Sequence, residues 1–336
     1  MPQTNPIGEA EFSTLMTSCE DFAQVSQIAV AVSGGADSLC LAIMLQAWGA
    51  ERGVEVTALT VDHGLRKESR GEAEQVKTWL EAIGLKQHIL TWAPNKHQTT
   101  AVQARARKAR YALMSDWCQA QGVDHLFLAH HQDDQAETVL MRLKKQSTLY
   151  GFGAMALARD VHGLKLCRPL LNVPKSRLIA TLKTKGQHWI EDPSNHNTDF
   201  ERVRVRALLV DLAKQGVSAD RLSGAATSAR LVCDVLDKAA DRLVDIAVEP
   251  GKTLKITPDF LNAPPRIYER ALSKILRDVG GNVYPPSPDK LRRLRAWLES
   301  GEHGARTLAG VLVRTKASGI YVSVESPRQN CKKTDK

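Results

Sequence analysis

The chain predicts an α/β fold: a doubly wound, mostly parallel sheet, followed by a smaller, mainly helical C-terminal domain. Three observations predict it. Short apolar runs alternate with helix-forming segments between residues 28 and 206, and each run ends in polar or glycine residues. Beyond Lys214-Gln215-Gly216 this alternation gives way to helical periodicity.

Ile28-Ala29-Val30-Ala31-Val32 reads as a buried parallel strand, and Leu39 to Leu45 as the apolar side of a helix. Between them lies Ser33-Gly34-Gly35-Ala36-Asp37-Ser38. Its glycines permit positive φ and close backbone approach, so successive N–H groups can converge on anionic oxygens with a helix N-terminus behind them. Ser33 and Ser38 add hydroxyls. A Walker-type phosphate loop ends in Lys-Ser/Thr, and Asp37-Ser38 stands there instead. An acid beside phosphates calls for a cation. Asp37 is therefore read as an anchor for Mg²⁺, and the loop as a grip on the β,γ-pyrophosphate of ATP, which leaves when the α-phosphate is attacked. The bland alternative is a plain strand-to-helix connection, which the Asp-Ser ending disfavours.

A second strand, Val56 to Val61, runs into Asp62-His63-Gly64-Leu65-Arg66. Ligands lie outside the carboxyl ends of parallel strands, so Asp62 and His63 are expected to face the nucleoside half of ATP. A third strand near Gln87 to Trp92 precedes a helix-forming segment, Thr100 to Tyr111, in which Arg107 and Arg110 share one face. The fourth strand, Leu126 to Ala129, enters His130-His131-Gln132-Asp133-Asp134-Gln135-Ala136-Glu137-Thr138. A helix starting near Asp133 presents Asp134 and Glu137 on one face, where they can complete a Mg²⁺ site with Asp37. Acids in a first helical turn also suit the macrodipole, which is the bland reading. His130 and His131, without paired cysteines or spaced histidines nearby, are expected to orient nucleotide or substrate.

The glycine turn resembles the PP-loop of the N-type ATP pyrophosphatases, and its neighbours narrow the resemblance to the tRNA(Ile)-lysidine synthetase family. The matching segments are 33–38, 62–66, 106–111, 130–138, Arg168-Pro169-Leu170-Leu171 and Glu191-Asp192-Pro193-Ser194-Asn195, followed by Phe200, Arg202, Arg204 and Arg206. The resemblance implies a Rossmann-like catalytic domain over 20–215. It implies adenylation of the wobble cytidine of a CAU-anticodon tRNA(Ile) by ATP, then displacement of AMP by free L-lysine. By position, Asp37 and Asp134 would hold Mg²⁺ or assist the amine, Glu137 would help bind lysine or metal, and Arg107 would stabilise the α-phosphate or the adenylated intermediate. Another adenylating enzyme of the superfamily, acting on a small molecule or a different tRNA base, is the alternative. The chain departs from the family pattern at Gln146 and Thr148, where glycines are usual, at Phe152 for leucine and at Val203 for asparagine.

Composition bounds the rest. Among 336 residues no run approaches the roughly 20 apolar residues of a membrane span, and no basic residue precedes Arg52, so a cytoplasmic protein is expected. Six cysteines without a CxxC pair argue against structural zinc and against thiolation chemistry. The net charge of +9 is uneven: residues 1–216 carry 25 Lys/Arg against 23 Asp/Glu, and residues 217–336 carry 21 against 14. Basic excess outside the catalytic domain suits a grip on a phosphate backbone. The expected tRNA contacts are Arg110, Arg202, Arg204 and Arg206, the last three alternating with Val203 and Val205, together with Arg292 and Arg293. The domain over 216–326 is expected to hold helices at 219–248, 263–279 and 288–300 and to end in a hairpin across Thr315 to Ser318, before a disordered tail. A homodimer is compatible with the sequence.

Overall fold

The computed structural model describes residues 4–62, 64, 69–92, 102–145, 148–161, 163–191, 201–251, 253–282 and 286–325. His63, Leu65, Arg66, Gln146, the 192–195 segment, Phe200 and the tail from Pro327 lie outside the described residues.

The first compact unit, Met1–Arg230, is built on a sheet ordered β3-β2-β1-β4-β6-β5. Its strands are β1 (Gln27–Ala31), β2 (Glu55–Asp62), β3 (Lys86–Thr91), β4 (His125–Phe127), β5 (Ala158–Val161) and β6 (Leu164–Cys167). All neighbouring pairs are parallel except β5 with β6. The helices are α1 (Glu9–Cys19), α2 (Ala36–Arg52), α3 (Ser69–Ala82), α4 (Val102–Gln121), α5 (Gln132–Lys144), the single turn α6 (Leu149–Phe152), α7 (Lys175–Thr184) and α8 (Glu201–Lys214). A doubly wound, mostly parallel sheet is thus present.

Period-two alternation in β1 explains the layering. Ile28 and Val30 enter a cluster with Phe12 and Met16 of α1, Leu41 and Leu45 of α2, Val76 and Leu80 of α3 and Leu178 and Leu182 of α7. Ala29 faces the other way, among Met114 and Cys118 of α4, Leu126 and Leu166. The chain travels from β1 outward to β3, then returns to β4 on the other side of β1. The ends of β1 and β4 therefore form the switch point at which such sheets bind ligands.

An ion pair clamps the N-terminal helix to this layer. Arg177 donates to both Glu11 oxygens, Oε1 and Oε2, at 2.6 Å each, and Ile7 N–H donates to Thr181 Oγ1 at 2.8 Å. The Arg177 hydrogen bond holds the Glu11 carboxyl below its ordinary value. Its stabilisation is therefore present above the unfolded carboxyl pKa and is lost as pH falls through the depressed folded value. Glu11→Gln is expected to cost about 1 kcal/mol in urea unfolding near neutral pH, kept small by solvent screening. The gap to the parent chain should close as pH falls through the depressed folded value; a gap that persists in acid would assign the effect to packing.

The second compact unit, Leu231–Lys336, begins within the long helix α9 (Ala219–Ala247). It contains β7 (Val248–Glu249), β8 (Leu254–Ile256), α10 (Asp259–Asn262), α11 (Pro265–Val279), α12 (Pro288–Glu299), β9 (Gly304–Leu308), β10 (Val311–Lys316) and β11 (Gly319–Val324). The expected helices are present. The expected β10–β11 hairpin is the centre of an antiparallel five-stranded sheet, β7-β8-β11-β10-β9. The sequence did not reveal the outer strands because β7 and β8 are two and three residues long and β9 is mostly exposed. Tyr268, Leu272, Leu276, Trp297, Val313 and Val322 anchor this unit's core. No described helix is long and apolar enough to cross a membrane.

Candidate active site

Gly34 adopts φ +86°, a left-handed conformation that glycine alone takes without strain. Its carbonyl accepts from Ile190 N–H at 2.9 Å. A Cβ there would lie 2.8 Å from Val76 Cγ2 and 3.0 Å from Ile190 Cδ1. Ser38 braces the turn: its Oγ accepts from Ser33 N–H at 3.1 Å and donates to Gly35 O at 3.0 Å. Gly35 caps α2 in an extended conformation, which leaves the first N–H groups of Ala36, Asp37 and Ser38 aimed out of the helix.

At the end of β4 stands His131, only 2% exposed. Its Nε2 lies 3.5 Å from Asp37 Oδ2 and 3.5 Å from Asp134 Oδ2, and its Nδ1 lies 3.7 Å from Asp133 Oδ2. Burial alone would favour the neutral imidazole, but the three carboxylates outweigh it and raise its pKa. Asp134 is also the N3 residue of α5, where it accepts from His131 N–H at 3.2 Å. Asp37 is desolvated, yet His131 and Lys175 hold it below the ordinary carboxylate value. Lys175 Nζ donates to Asp37 Oδ2 at 3.4 Å.

Glu137 is 1% exposed, and its Oε1 accepts from Arg206 Nε at 2.5 Å. Burial pushes its carboxyl up, opposed by Arg206 and by Arg202 4.0 Å away. The alternating arginines of 202–206 lie on α8 rather than on an extended stretch. Helical spacing gives Arg202 and Arg206 one face, directed at Glu137, and leaves Arg204 exposed on another. Arg107 is exposed on α4, its guanidinium 5.3 Å from the Tyr111 ring centroid. Asp62 turns the chain after β2, accepting at Oδ1 from Gly64 N–H at 2.9 Å and from Ser69 Oγ at 2.7 Å. In the second unit, Arg292 pairs with Asp289 and Arg293 is exposed.

Buried polar atoms without partners gather at this edge. They include Asp37 Oδ1, His130 Nδ1, His131 Nδ1, Glu137 Oε2 and Arg168 Nε. Such atoms are costly unless a ligand or water satisfies them, so their clustering marks a binding site. The orphaned Asp37 oxygen, with Asp134 across one imidazole, fits a hard cation. Among the described residues no group of three or more His, Cys, Asp or Glu could hold a metal by itself.

Sequence reasoning missed Lys175 and the environment of Arg168. Lys175 is far from the glycine turn in sequence and reaches it because α7 starts beside α2. The loop lacks its own lysine and acquires one in space.

A PP-loop domain model matches residues 6–213. The tRNA(Ile)-lysidine synthase of Methylobacterium nodulans is 35% identical over 339 residues, covering 96% of this chain and 98% of that one. Its counterpart from Bradyrhizobium diazoefficiens is 40% identical over 329 residues, covering 90% and 91%. Among solved structures, the U34-tRNA thiolase of Methanococcus maripaludis aligns with a TM-score of 0.57 at 15% identity, over 67% of this chain and 80% of its own. That likeness is one of fold.

Proposed function

The chain belongs to the tRNA(Ile)-lysidine synthase family, matching relatives over nearly their whole length, and from that membership we propose that it joins free L-lysine to C2 of the wobble cytidine in a CAU-anticodon tRNA(Ile). ATP supplies the activation. The C2 carbonyl oxygen attacks the α-phosphate and releases pyrophosphate; the lysine amine then adds at C2, loses a proton, and the C2–O bond breaks as AMP departs with the oxygen.

The juxtaposition of a lysine-free glycine turn at the end of β1 with Asp37, Asp134 and His131 at the end of β4 carries this reading. Ser33 to Ser38 cradle the β,γ-pyrophosphate, with Lys175 beside them as a further cation. Asp37 and Asp134 would hold Mg²⁺, which when bound neutralises charge building on the phosphates. Glu137 keeps Oε2 free of hydrogen bonds and offers it to the lysine amine. Arg107 addresses the α-phosphate, and Asp62 and His63 address the nucleoside. The tRNA backbone falls to Arg110, Arg202, Arg204 and Arg206, and to Arg292 and Arg293 within the basic 216–326 region. These substrates meet in the cytoplasm, where the reaction is placed.

The test supplies the full chain with ATP, Mg²⁺, radiolabelled lysine and a CAU-anticodon tRNA(Ile) transcript. Label in the tRNA with stoichiometric AMP and pyrophosphate is expected. Products of ADP and orthophosphate would overturn the cleavage assignment, and label only in a different acceptor would overturn the substrate.

A further inference from the structure

Polar groups along the carboxyl edge of the six-stranded sheet are sorted by charge. The phosphate loop follows β1, carboxylates and His131 gather after β4, and the next strand, β6, ends directly in Arg168. Arg168 is 8% exposed; one nitrogen, Nη1, donates to Ala156 O at 3.0 Å, and Nε is buried with no acceptor. His130, beside it at the end of β4, has a buried Nδ1 without a partner. Helix α4 packs on this side and carries Arg107 and Arg110 one turn apart.

Arg168 is desolvated; Tyr111 acts in its favour, while Arg159 and Arg107 act on it as like charges, and it forms no ion pair among the described residues. Burying a guanidinium without an anion is costly, and the cost is recovered if the anion arrives with the substrate.

We propose that Arg168, with His130 beside it, forms an oxyanion pocket that receives the carboxylate of the lysine substrate. The proposal rests on the lysine-joining reading above. Position favours a carboxylate over a phosphate. Strands lie about 4.8 Å apart, so the end of β6 is roughly 10 Å across the sheet from the phosphate loop and one strand beyond the acids. An amino acid laid along this edge would meet Glu137 and Asp134 with an amine and Arg168 with its carboxylate, so that each charge finds its opposite. Planar guanidinium also matches a carboxylate with two parallel N–H···O bonds.

The test compares lysine with 1,5-diaminopentane, which is lysine without the carboxylate, as acceptor amines for the full chain with ATP, Mg²⁺ and the CAU-anticodon transcript. The parent enzyme is expected to prefer lysine by at least about 100-fold in kcat/KM, since a site built for a polar group rejects an analogue lacking it. In Arg168→Gln that preference should collapse about 100-fold through the KM for lysine, and Arg168→Lys should restore about tenfold of it. His130→Gln, read the same way, covers the case in which the first variant does not fold. An unchanged preference, with both amines slowed alike, would make Arg168 structural and overturn the pocket. A rise in the KM for ATP or tRNA in place of that for lysine would identify a phosphate site and overturn it as well. If the parent enzyme transfers no lysine, the functional reading itself fails and the pocket falls with it.

Discussion

Asp37→Asn is expected to abolish AMP and pyrophosphate formation, by at least about 10³-fold, while filter retention of the tRNA stays within about twofold of the parent. Asp37 is the one carboxylate on the phosphate loop itself, and its two oxygens are differently used. Oδ2 accepts from Lys175 and faces His131, while Oδ1 is buried and unused. Asparagine keeps the shape but removes the charge that would hold a cation against the phosphates, and it can turn an amide N–H toward Lys175. Because Asp37 is on the phosphate loop and the tRNA grip is assigned to arginines elsewhere, the two readouts should separate. Equal loss of both would contradict the metal assignment.

The second large effect is expected at Gly34. Gly34→Ala imposes a side chain on a left-handed backbone, at a cost of about 1 kcal/mol, and drives a methyl group against Val76 and Ile190. Both neighbours are β-branched and stiff at χ1, so the loop must give instead. The converging N–H groups then lose their aim, and kcat/KM for ATP should fall by about 100-fold or more. Thermal denaturation should show a drop of only a few degrees, as expected for about 1–2 kcal/mol in a domain of this size. Adding Val76→Ala relieves the contact but not the backbone, and should recover part of the loss. Complete recovery would mean that the positive φ is irrelevant.

The centre of the catalytic fold was legible because β1 and β2 are buried on both faces and the helix after β1 starts at a recognisable glycine turn, whereas the four-residue strands β5 and β6 were not foreseen. Ile28 to Val32 and the glycine turn after it could hardly be read otherwise. The second unit was legible only in its helices. Strands of two or three residues, such as Val248–Glu249 and Leu254–Ile256, carry no period and form only because the β10–β11 hairpin offers them an edge. In the site, Asp37, Asp134 and Glu137 were visible because local spacing puts carboxylates at strand ends. What spacing could not show was partnership across the sheet: that His131 would bridge two of those carboxylates, that Lys175 would reach the loop from α7, or that Arg202 and Arg206 would be turned by a helix onto Glu137. The orphaned Nε of Arg168 lay beyond sequence for the same reason, since a missing counter-charge is a property of surroundings.

The hydrogen bond from Ile190 to the Gly34 carbonyl means that the nucleotide cradle is not a self-contained cassette of strand, turn and helix. A fragment that stops ahead of Ile190 would keep every letter of the turn and lose its posture, and transplanting the turn onto a foreign sheet would do the same. Thermodynamic reciprocity runs through that bond: whatever tightens residues 187–191 raises the grip on triphosphate, and triphosphate tightens them by an equal factor.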